Sequence, residues 1–159
     1  MFLKSNLAQV IRIFVSCAEE DTEFLRGLER QLSSLIREGL VKCYNRYGLS
    51  PGIEWREKAK EYLHAADIIL LLVSPFFVAS DYCYREEVVL AMALHKSGKT
   101  RVVPIIVRPI EWERLVFGGL ASLPIGEAVS MWPKTMNRQT EAEALGERAD
   151  AIQREHSTD

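Results

Sequence analysis

Residues 67–94, which read DIILLLVSPFFVASDYCYREEVVLAMAL, contain the clearest structural pattern of the chain. The six consecutive apolar residues 68–73 have the length of a strand and are too few to cross a bilayer. Because this strand is apolar on both faces, it is typical of a parallel sheet that is covered by helices on each side. The stretch therefore predicts a buried strand inside an α/β fold.

The segment after this strand predicts an apolar loop and then a helix. Ser74 and Pro75 should end the strand, residues 76–78 should form the loop, and Ser80 or Asp81 should cap the helix.

That helix contains one carboxylate in an unusual place. At helical spacing, the neighbours of Glu87 are mostly apolar: Cys83, Tyr84, Leu90 and Ala91. Burying an ion costs free energy unless hydroxyls, amides or a cationic ligand compensate it. Glu87 is therefore the first candidate for chemistry.

The rest of the chain alternates strand-like and helix-like segments. Strands are expected at 10–18, 40–44, 101–107 and 128–132, and helices at 21–38, 55–66 and 141–155. Asp21 is expected to cap the first helix and Gly39 to end it, while Pro104 suggests a bulge or an edge position in its strand. Residues 108–124 should form an irregular loop with a helical turn. This alternation predicts a parallel sheet covered on both faces.

Length and composition favour one globular domain without an export signal. The 159 residues are 48% hydrophobic, and we expect a lead-in at 1–9, a domain at 10–155 and a frayed end at 156–159. The net charge of −2 gives no support to nucleic-acid binding, and no segment suggests a membrane. Three cysteines without metal-ligand spacing fit a reducing cytoplasm, so a cytoplasmic location is expected.

Several common chemistries lack their motifs. The first strand is followed by SCAEED, which is neither the GxGxxG of dinucleotide folds nor a phosphate-binding GxxxxGK[ST] loop. Ser74 and Pro75 stand where a phospho-receiver would need an aspartate, and Ser74 lacks a GxSxG elbow. His64, His95 and His156 have no ligand spacing, so we expect no metal.

Five motifs in sequence resemble a family. IFVSCAEED at 13–21, NRYGLSPGIEW at 45–55, ADIILLLVSPFFVASDYCYREE at 66–87, RVVPIIVRPIEW at 101–112 and VSMW at 129–132 together resemble a Toll/interleukin receptor (TIR) domain of the bacterial type. The match spans roughly residues 10–133. The resemblance implies a flavodoxin-like three-layer fold, with a five-stranded parallel sheet and helices on both faces.

The resemblance implies two alternative functions. Many members cleave NAD+ at the nicotinamide–ribose bond, which gives nicotinamide and ADP-ribose or a cyclic ADP-ribose, and they act as effectors of immunity such as antiphage defence. Others are non-catalytic adaptors that act through TIR–TIR contacts. The first alternative implies NAD+ as the substrate, no cofactor, and activation by self-assembly into a homo-oligomer. The loop 45–55 resembles the segment that mediates assembly, and other domains or proteins of a defence system are further expected partners.

The catalytic residue of the enzymatic members is a glutamate on the helix after the central strand. Here the spacing S-x-x-C-x-x-E selects Glu86, whereas the bacterial form with an aliphatic residue after the glutamate selects Glu87. Glu87 is the first choice, because its apolar flanks align better, and Glu86 is the second. The alternative interpretation is that both are solvated helix residues, paired with Arg85 or Lys96.

Seven further residues are candidates for substrate binding. The strand end at Ser16, Cys17 and Ala18 lies at the carboxyl edge of the sheet, where α/β folds bind ligands. The resemblance adds candidates from the loop 45–55 and the helix: Arg46, Tyr47, Tyr82 and Cys83. The tyrosines could stack on nicotinamide or adenine, and Arg46 could meet a phosphate or a neighbouring acid. Each of these residues could equally have only a structural or solvated role.

Overall fold

The computed structural model describes residues 9–124 and 128–131. The chain divides into two compact units, Met1–Val129 and Ser130–Asp159, and the sheet belongs to the first. The helix predicted at 141–155, and most of the predicted lead-in, lie outside the described residues. The boundaries predicted for the domain stay a prediction. Within the described residues, no helix is both long and apolar enough to span a membrane.

In its described residues, the first unit has a four-stranded parallel sheet at its centre. Its strands are β1 (Ile11–Ser16), β2 (Val41–Tyr44), β3 (Ile68–Val73) and β4 (Arg101–Ile106), in the order β2-β1-β3-β4. All three pairings are parallel, and β3 pairs with β4 over its whole length, from Ile68 opposite Arg101 to Val73 opposite Ile106. The predicted α/β class and four of the predicted strands are confirmed.

The predicted fifth strand is wrong. Val129–Met131 forms a short 3-10 helix, and Trp132 lies outside the described residues. At the outer edge of β4, the single residue Leu123 bonds where a further strand was expected. Its N–H donates to Pro104 O (2.9 Å), and its carbonyl accepts the N–H of Ile106 (2.7 Å). Pro104 lies in this edge strand, as its missing N–H predicted.

Helices connect the strands. They are α1 (Thr22–Arg37), α2 (Trp55–Ala65), α3 (Pro75–Ala79) and α4 (Val88–Lys96). Gly39, with φ of +72°, ends α1 as predicted. The expected helical turn after β4 is a 3-10 helix at Trp112–Arg114.

Two of the predictions around the helices are wrong. The segment predicted as an apolar loop after β3 is the short helix α3, which Ser74 caps by accepting the N–H of Phe77 (3.0 Å). Ser80, one of the two residues expected to cap the next helix, does cap that helical segment, because its hydroxyl accepts the N–H of Cys83 (3.3 Å). Asp21 precedes α1 but makes no side-chain cap, because its carboxylate turns into the protein.

The core consists of two clusters, since alternate residues of each strand point to opposite faces of the sheet. Phe14 and Leu71 belong to the cluster that contains Leu63 of α2 and Ala91 of α4. Val15 and Leu72 belong to the other cluster, to which α1 contributes Leu25. The parallel pairing of β2, β1 and β3 places their carboxyl ends at one edge of the sheet.

Candidate functional site

The end of β1 gathers several of the predicted substrate-binding residues. Ser16, Cys17 and Ala18 are all buried. The hydroxyl of Tyr47 donates a hydrogen bond to Cys17 O (3.0 Å), and the thiol of Cys83 donates to the same oxygen (3.5 Å). This one carbonyl group thus joins the loop after β2 and the helical segment after α3 to the sheet edge.

The residues Tyr82–Glu87 form a π-helical segment that continues directly into α4. Its wider winding is visible where the N–H of Val88 donates to the carbonyl of Cys83, five residues earlier. With this spacing, Tyr82 and Glu87 come to the same side of the helix, which α-helical winding would not achieve. Isolated π-helical turns are frequent at functional sites. The sequence periodicity gave no sign of this one.

Glu87 is buried at the end of the π-helical segment. It is 2% exposed, and neither carboxylate oxygen makes a hydrogen bond with good geometry in the described part of the chain. The buried hydroxyl oxygen of Ser16 is also without a partner there. Such groups are rare in proteins, because each lacks the bonds it would form with water. Glu87 is therefore an acceptor that the described fold leaves unsatisfied.

Burial raises the pKa of Glu87 from 4.5 to about 7. The guanidinium of Arg46 and the nearby hydroxyls of Ser16 and Tyr82 lower the pKa, but they offset only part of the burial, and the charge of Glu86 raises it further. The carboxyl group is consequently divided between its neutral and charged forms near pH 7.

Glu86 has a different environment. Its side chain is 39% exposed, and a carboxylate oxygen lies 3.4 Å from Arg56 of α2. Glu86 therefore matches the interpretation of a solvated residue in an ordinary surface ion pair, but its partner is Arg56 and not Arg85 or Lys96, and Arg85 pairs with Asp81 instead. Of the two candidates, only Glu87, the first choice, is buried.

Aromatic rings and a cation lie beside the buried acid. The guanidinium carbon of Arg46 is 4.7 Å from the ring centroid of Tyr47 and 4.9 Å from that of Tyr82. Trp55, which the sequence marked only as the start of a helix, packs edge-on against Tyr82 with centroids 4.6 Å apart. The side chain of Asn45 accepts the N–H groups of Tyr47 and Gly48, which holds this part of the loop in place. Predicted site residues from β1, the loop and the π-helical segment are thus brought together.

Glu87 and Tyr82 line a cleft between α2 and α4 with a volume of about 610 Å³. A cavity of this size is within the range of small-molecule sites. On the other side of the aromatic group, two smaller cavities of about 300 and 370 Å³ share Arg46 and Glu19 in their walls. Tyr82 thus lines the cleft of Glu87, Arg46 lines the two smaller cavities, and the two side chains contact each other.

A second buried carboxylate, Asp21, holds the same edge together. It accepts a hydrogen bond from the hydroxyl of Ser74 at the end of β3, and it forms an ion pair with Nε of Arg108 (2.6 Å), just after β4. Local sequence patterns did not indicate this network, because they predicted Asp21 as a cap and Ser74 as a strand end. The one available sign was that Asp21, Ser74 and Arg108 follow three different strands closely.

The described residues contain neither a reactive thiol nor a cluster of metal-ligating side chains. Burial raises the pKa of Cys17 to about 12 and also raises the pKa of Cys83, so both thiols are protonated at neutral pH. In the residues 9–124 and 128–131, no three metal-ligating side chains come together.

Comparison with known proteins identifies the family. The family model described as the TIR domain matches residues 13–142, and the chain therefore belongs to the TIR domain family. The chain is 38% identical over 122 residues to the uncharacterized protein y4lF of Sinorhizobium fredii, which covers 76% of this chain and 38% of that protein. The match thus spans well under half the length of that relative. Among solved structures, the TIR domain of the Toll-related receptor TRR-2 of Hydra magnipapillata is 20% identical, with a TM-score of 0.44, over 62% of this chain and 72% of that one.

Proposed function

We propose that this TIR domain cleaves NAD+ between nicotinamide and ribose, with Glu87 as the catalytic carboxylate. The observation that carries the proposal is a buried carboxylate without a hydrogen-bond partner among the described residues, placed in the wall of a cleft. Perturbed acids in clefts are typical of functional sites. Tyr82 beside it offers a ring on which the nicotinamide can stack.

The chemistry needs only one carboxylate. Nicotinamide leaves as a neutral molecule from a positively charged ring nitrogen, so the leaving group requires no acid. As the bond breaks, positive charge develops on the ribose, and a fixed carboxylate next to the ribose stabilises it. The apolar surroundings of Glu87 strengthen this attraction relative to water. Water then attacks the ribosyl cation and loses a proton to the solvent, which gives linear ADP-ribose, whereas attack by a nucleophilic atom of the ADP-ribose itself gives a cyclic product.

The raised pKa of Glu87 suits this role. In the empty cleft the carboxyl group is partly neutral, because burial disfavours its charge. A bound cationic nicotinamide riboside favours the charged form, so binding ionises the carboxylate at the place where charge will develop. We expect kcat/KM to rise with pH through about 7, where the free enzyme loses this proton.

The decisive experiment measures nicotinamide release from NAD+ by chromatography, at high protein concentration, with and without a crowding agent. We expect Glu87→Gln to lower kcat at least a thousandfold, because the charge that stabilises the ribosyl cation is lost. The matched control is Glu86→Gln, which removes the same charge one residue away and should stay within about threefold of wild type. Equal losses in both variants would remove Glu87 from the catalytic role, and no release by the wild type under any condition would exclude the activity.

A non-catalytic assembly module is the second candidate, favoured by the loop before α2. Ile53 is 44% exposed and Trp55 is 38% exposed, and both follow Gly52, whose φ of +85° turns the loop sharply. Exposed apolar groups on a projecting loop are suited to protein contacts. The two candidates are compatible, since we also propose that self-assembly activates the enzyme, in a bacterial immune effector.

The variant Gly52→Pro tests the loop. Proline requires φ near −65°, so the loop must change its course, and we expect weaker self-association in light scattering together with lower NAD+ cleavage. The control is Gly98→Pro, at another exposed glycine with positive φ (+77°), which should lose stability but keep self-association. If both variants assemble like the wild type, the loop has no part in assembly.

A further inference from the structure

Glu29 joins α1 to the loop 45–55, although α1 and the cleft of Glu87 lie on opposite faces of the sheet. One carboxylate oxygen of Glu29 accepts a hydrogen bond from the side-chain nitrogen of Asn45 (2.9 Å). The cationic neighbour Arg26 is more distant, at 3.8 Å, and its side chain is 64% exposed, whereas that of Glu29 is 33% exposed. The closest described partner of this carboxylate is therefore the neutral amide of Asn45.

Asn45 is held by hydrogen bonds at both ends of its amide. The residue is buried, and its side-chain oxygen accepts the N–H groups of Tyr47 (2.9 Å) and Gly48 (3.0 Å). A carboxylate accepts hydrogen bonds and donates none, so Glu29 binds only the nitrogen end of the amide. The oxygen end is then directed at the loop. Glu29 thus selects the one orientation of the amide in which Asn45 can hold the backbone of Tyr47.

The backbone held in this way determines where Arg46 lies. The hydroxyl of Tyr47 donates to Cys17 O (3.0 Å) and accepts a hydrogen bond from Nη2 of Arg46. The same guanidinium lies over the ring of Tyr82, 4.9 Å from its centroid. Burial raises the pKa of Glu87, and the charge of Arg46 offsets part of that rise. The position of this cation relative to Glu87 therefore depends on the position of Tyr47.

We propose that Glu29 is a positioning residue, which acts through Asn45 to hold Arg46 in the site. The inference rests on the proposed function for its effect on NAD+ cleavage, and on the hydrogen bonds alone for its effect on the site. Without the carboxylate, the amide of Asn45 has no required orientation. After rotation its nitrogen meets the N–H groups of the loop, donor against donor, so the loop changes its course. The cation that favours the charged form of Glu87 then moves away.

Two charges act on the carboxyl group of Glu87 from nearby residues. Arg46 lowers its pKa from the loop, and Glu86 raises it from the π-helical segment. The cleft wall of α2 carries Arg56, Glu57, Lys60 and His64. The remaining titratable groups nearby are protonated near pH 7, because burial raises the pKa of each of them: Cys17, Tyr82 and Cys83. Of all these charged groups only Arg46 belongs to the loop, so a changed titration of Glu87 in a Glu29 variant reports a displacement of Arg46.

Nicotinamide release between pH 6 and pH 9 measures the effect on the reaction. We expect Glu29→Ala to lower kcat/KM for NAD+ about fivefold at pH 7, because a larger share of Glu87 is neutral, and less than about twofold at pH 9, where Glu87 is charged in either protein. Glu29→Gln should stay within about twofold of wild type, because its amide oxygen still accepts the hydrogen bond of Asn45. The control Arg26→Ala removes only the distant, exposed partner and should match the wild type. An equal loss at both pH values would overturn the positioning role.

Carbon-13 NMR of the glutamate side-chain carboxyl groups separates this inference from the proposed function. The signal of Glu87 is identified by its absence in Glu87→Gln, and its titration needs no substrate. We expect its midpoint to move to higher pH in Glu29→Ala and to stay at the wild-type position in Glu29→Gln and Arg26→Ala. An unchanged midpoint in Glu29→Ala would overturn the inference even if NAD+ is cleaved. A raised midpoint confined to Glu29→Ala would support it even if the wild type releases no nicotinamide.

Discussion

Asp21 and Glu87 are two buried acids in the region of the candidate site, and they differ in the partners of their carboxylates. Asp21 is 0% exposed and receives a hydroxyl hydrogen bond from Ser74 and the guanidinium of Arg108. Glu87 is 2% exposed, and its oxygens have no partner in the described residues. The fold thus gives Asp21 a direct ion pair and a hydrogen bond, whereas Arg46 acts on Glu87 through its charge and no hydrogen bond of good geometry reaches the Glu87 carboxylate in the described residues.

This difference separates a structural acid from a functional one. A carboxylate with a full set of partners holds neighbouring segments together, and it has no free capacity for a ligand. A carboxylate without partners costs free energy in the empty protein, and that cost is recovered only when a cationic group arrives. A buried carboxylate without partners is expected at a functional position and not in a structural network.

The comparison predicts the largest stability effect at Asp21. Asp21→Ala should lower the free energy of unfolding by about 3 kcal/mol, because it leaves Arg108 and Ser74 without their buried partner. Urea unfolding followed by circular dichroism measures this loss. The control Glu23→Ala removes the other, exposed partner of Arg108, at 3.7 Å, and should cost less than about 0.5 kcal/mol. If the two variants are equally stable, the network does not hold the edge.

The sequence predicted the central strand well, but it did not predict the role of Asp21. The apolar run 68–73 predicted β3 to the residue, because a strand buried on both faces leaves an unbroken pattern. Asp21 was wrongly predicted as a cap, since its partners Ser74 and Arg108 are more than fifty residues away and only the tertiary fold brings them together. Local rules favoured the nearest free N–H groups.

Helical periodicity favoured Glu87, whose neighbours at helical spacing are mostly apolar, and the family spacing also allowed Glu86, but neither pattern predicted the π-helical turn that contains both residues. Successive residues of an α-helix differ by 100°, and a π-helical turn changes the direction of everything that follows it. The five-residue hydrogen bond from Val88 to Cys83 lies in the segment whose Cys83 thiol bonds to Cys17 O at the sheet edge, a contact between residues sixty-six positions apart that local sequence rules do not include. The fifth strand was also wrongly predicted. The residue that bonds to the outer edge of β4 is Leu123, and no local sequence pattern marks it.

Replacing Glu87 should have the opposite effect on stability from replacing Asp21, and this effect should depend on pH. The folded-state pKa of Glu87 is raised from 4.5 to about 7, so the folded protein binds the proton more tightly, and wild-type stability falls as pH rises through this window. The rise corresponds to about 3 kcal/mol above pH 7. Glu87→Gln avoids that penalty but keeps a buried amide, so we expect it to be about 2 kcal/mol more stable than wild type at pH 8.

Urea unfolding at pH 4 and pH 8 tests this prediction. At pH 4 the wild-type carboxyl group is neutral in both the folded and the unfolded protein, so Glu87→Gln and wild type should have nearly equal stability. Asp21→Asn is the contrasting variant, because it should be less stable than wild type at pH 8. A Glu87→Gln protein that is less stable than wild type at pH 8 would mean that the carboxylate has a stabilising partner after all.

Two buried serines provide the smallest and most closely matched test of the comparison. Ser74 donates to Asp21 and accepts from the N–H of Phe77, so Ser74→Ala removes two hydrogen bonds and should cost about 1.5 kcal/mol. Ser16, equally buried at the end of β1, makes no hydrogen bond of good geometry through its hydroxyl in the described residues, so Ser16→Ala should change stability by less than about 0.5 kcal/mol. Nicotinamide release should show the reverse order, because the hydroxyl of Ser16 favours the charged form of Glu87 and its loss lowers activity near pH 7. Equal stability losses in the two variants would mean that Ser16 also has a structural hydrogen bond, and the contrast between the two acids would then not extend to their neighbouring serines.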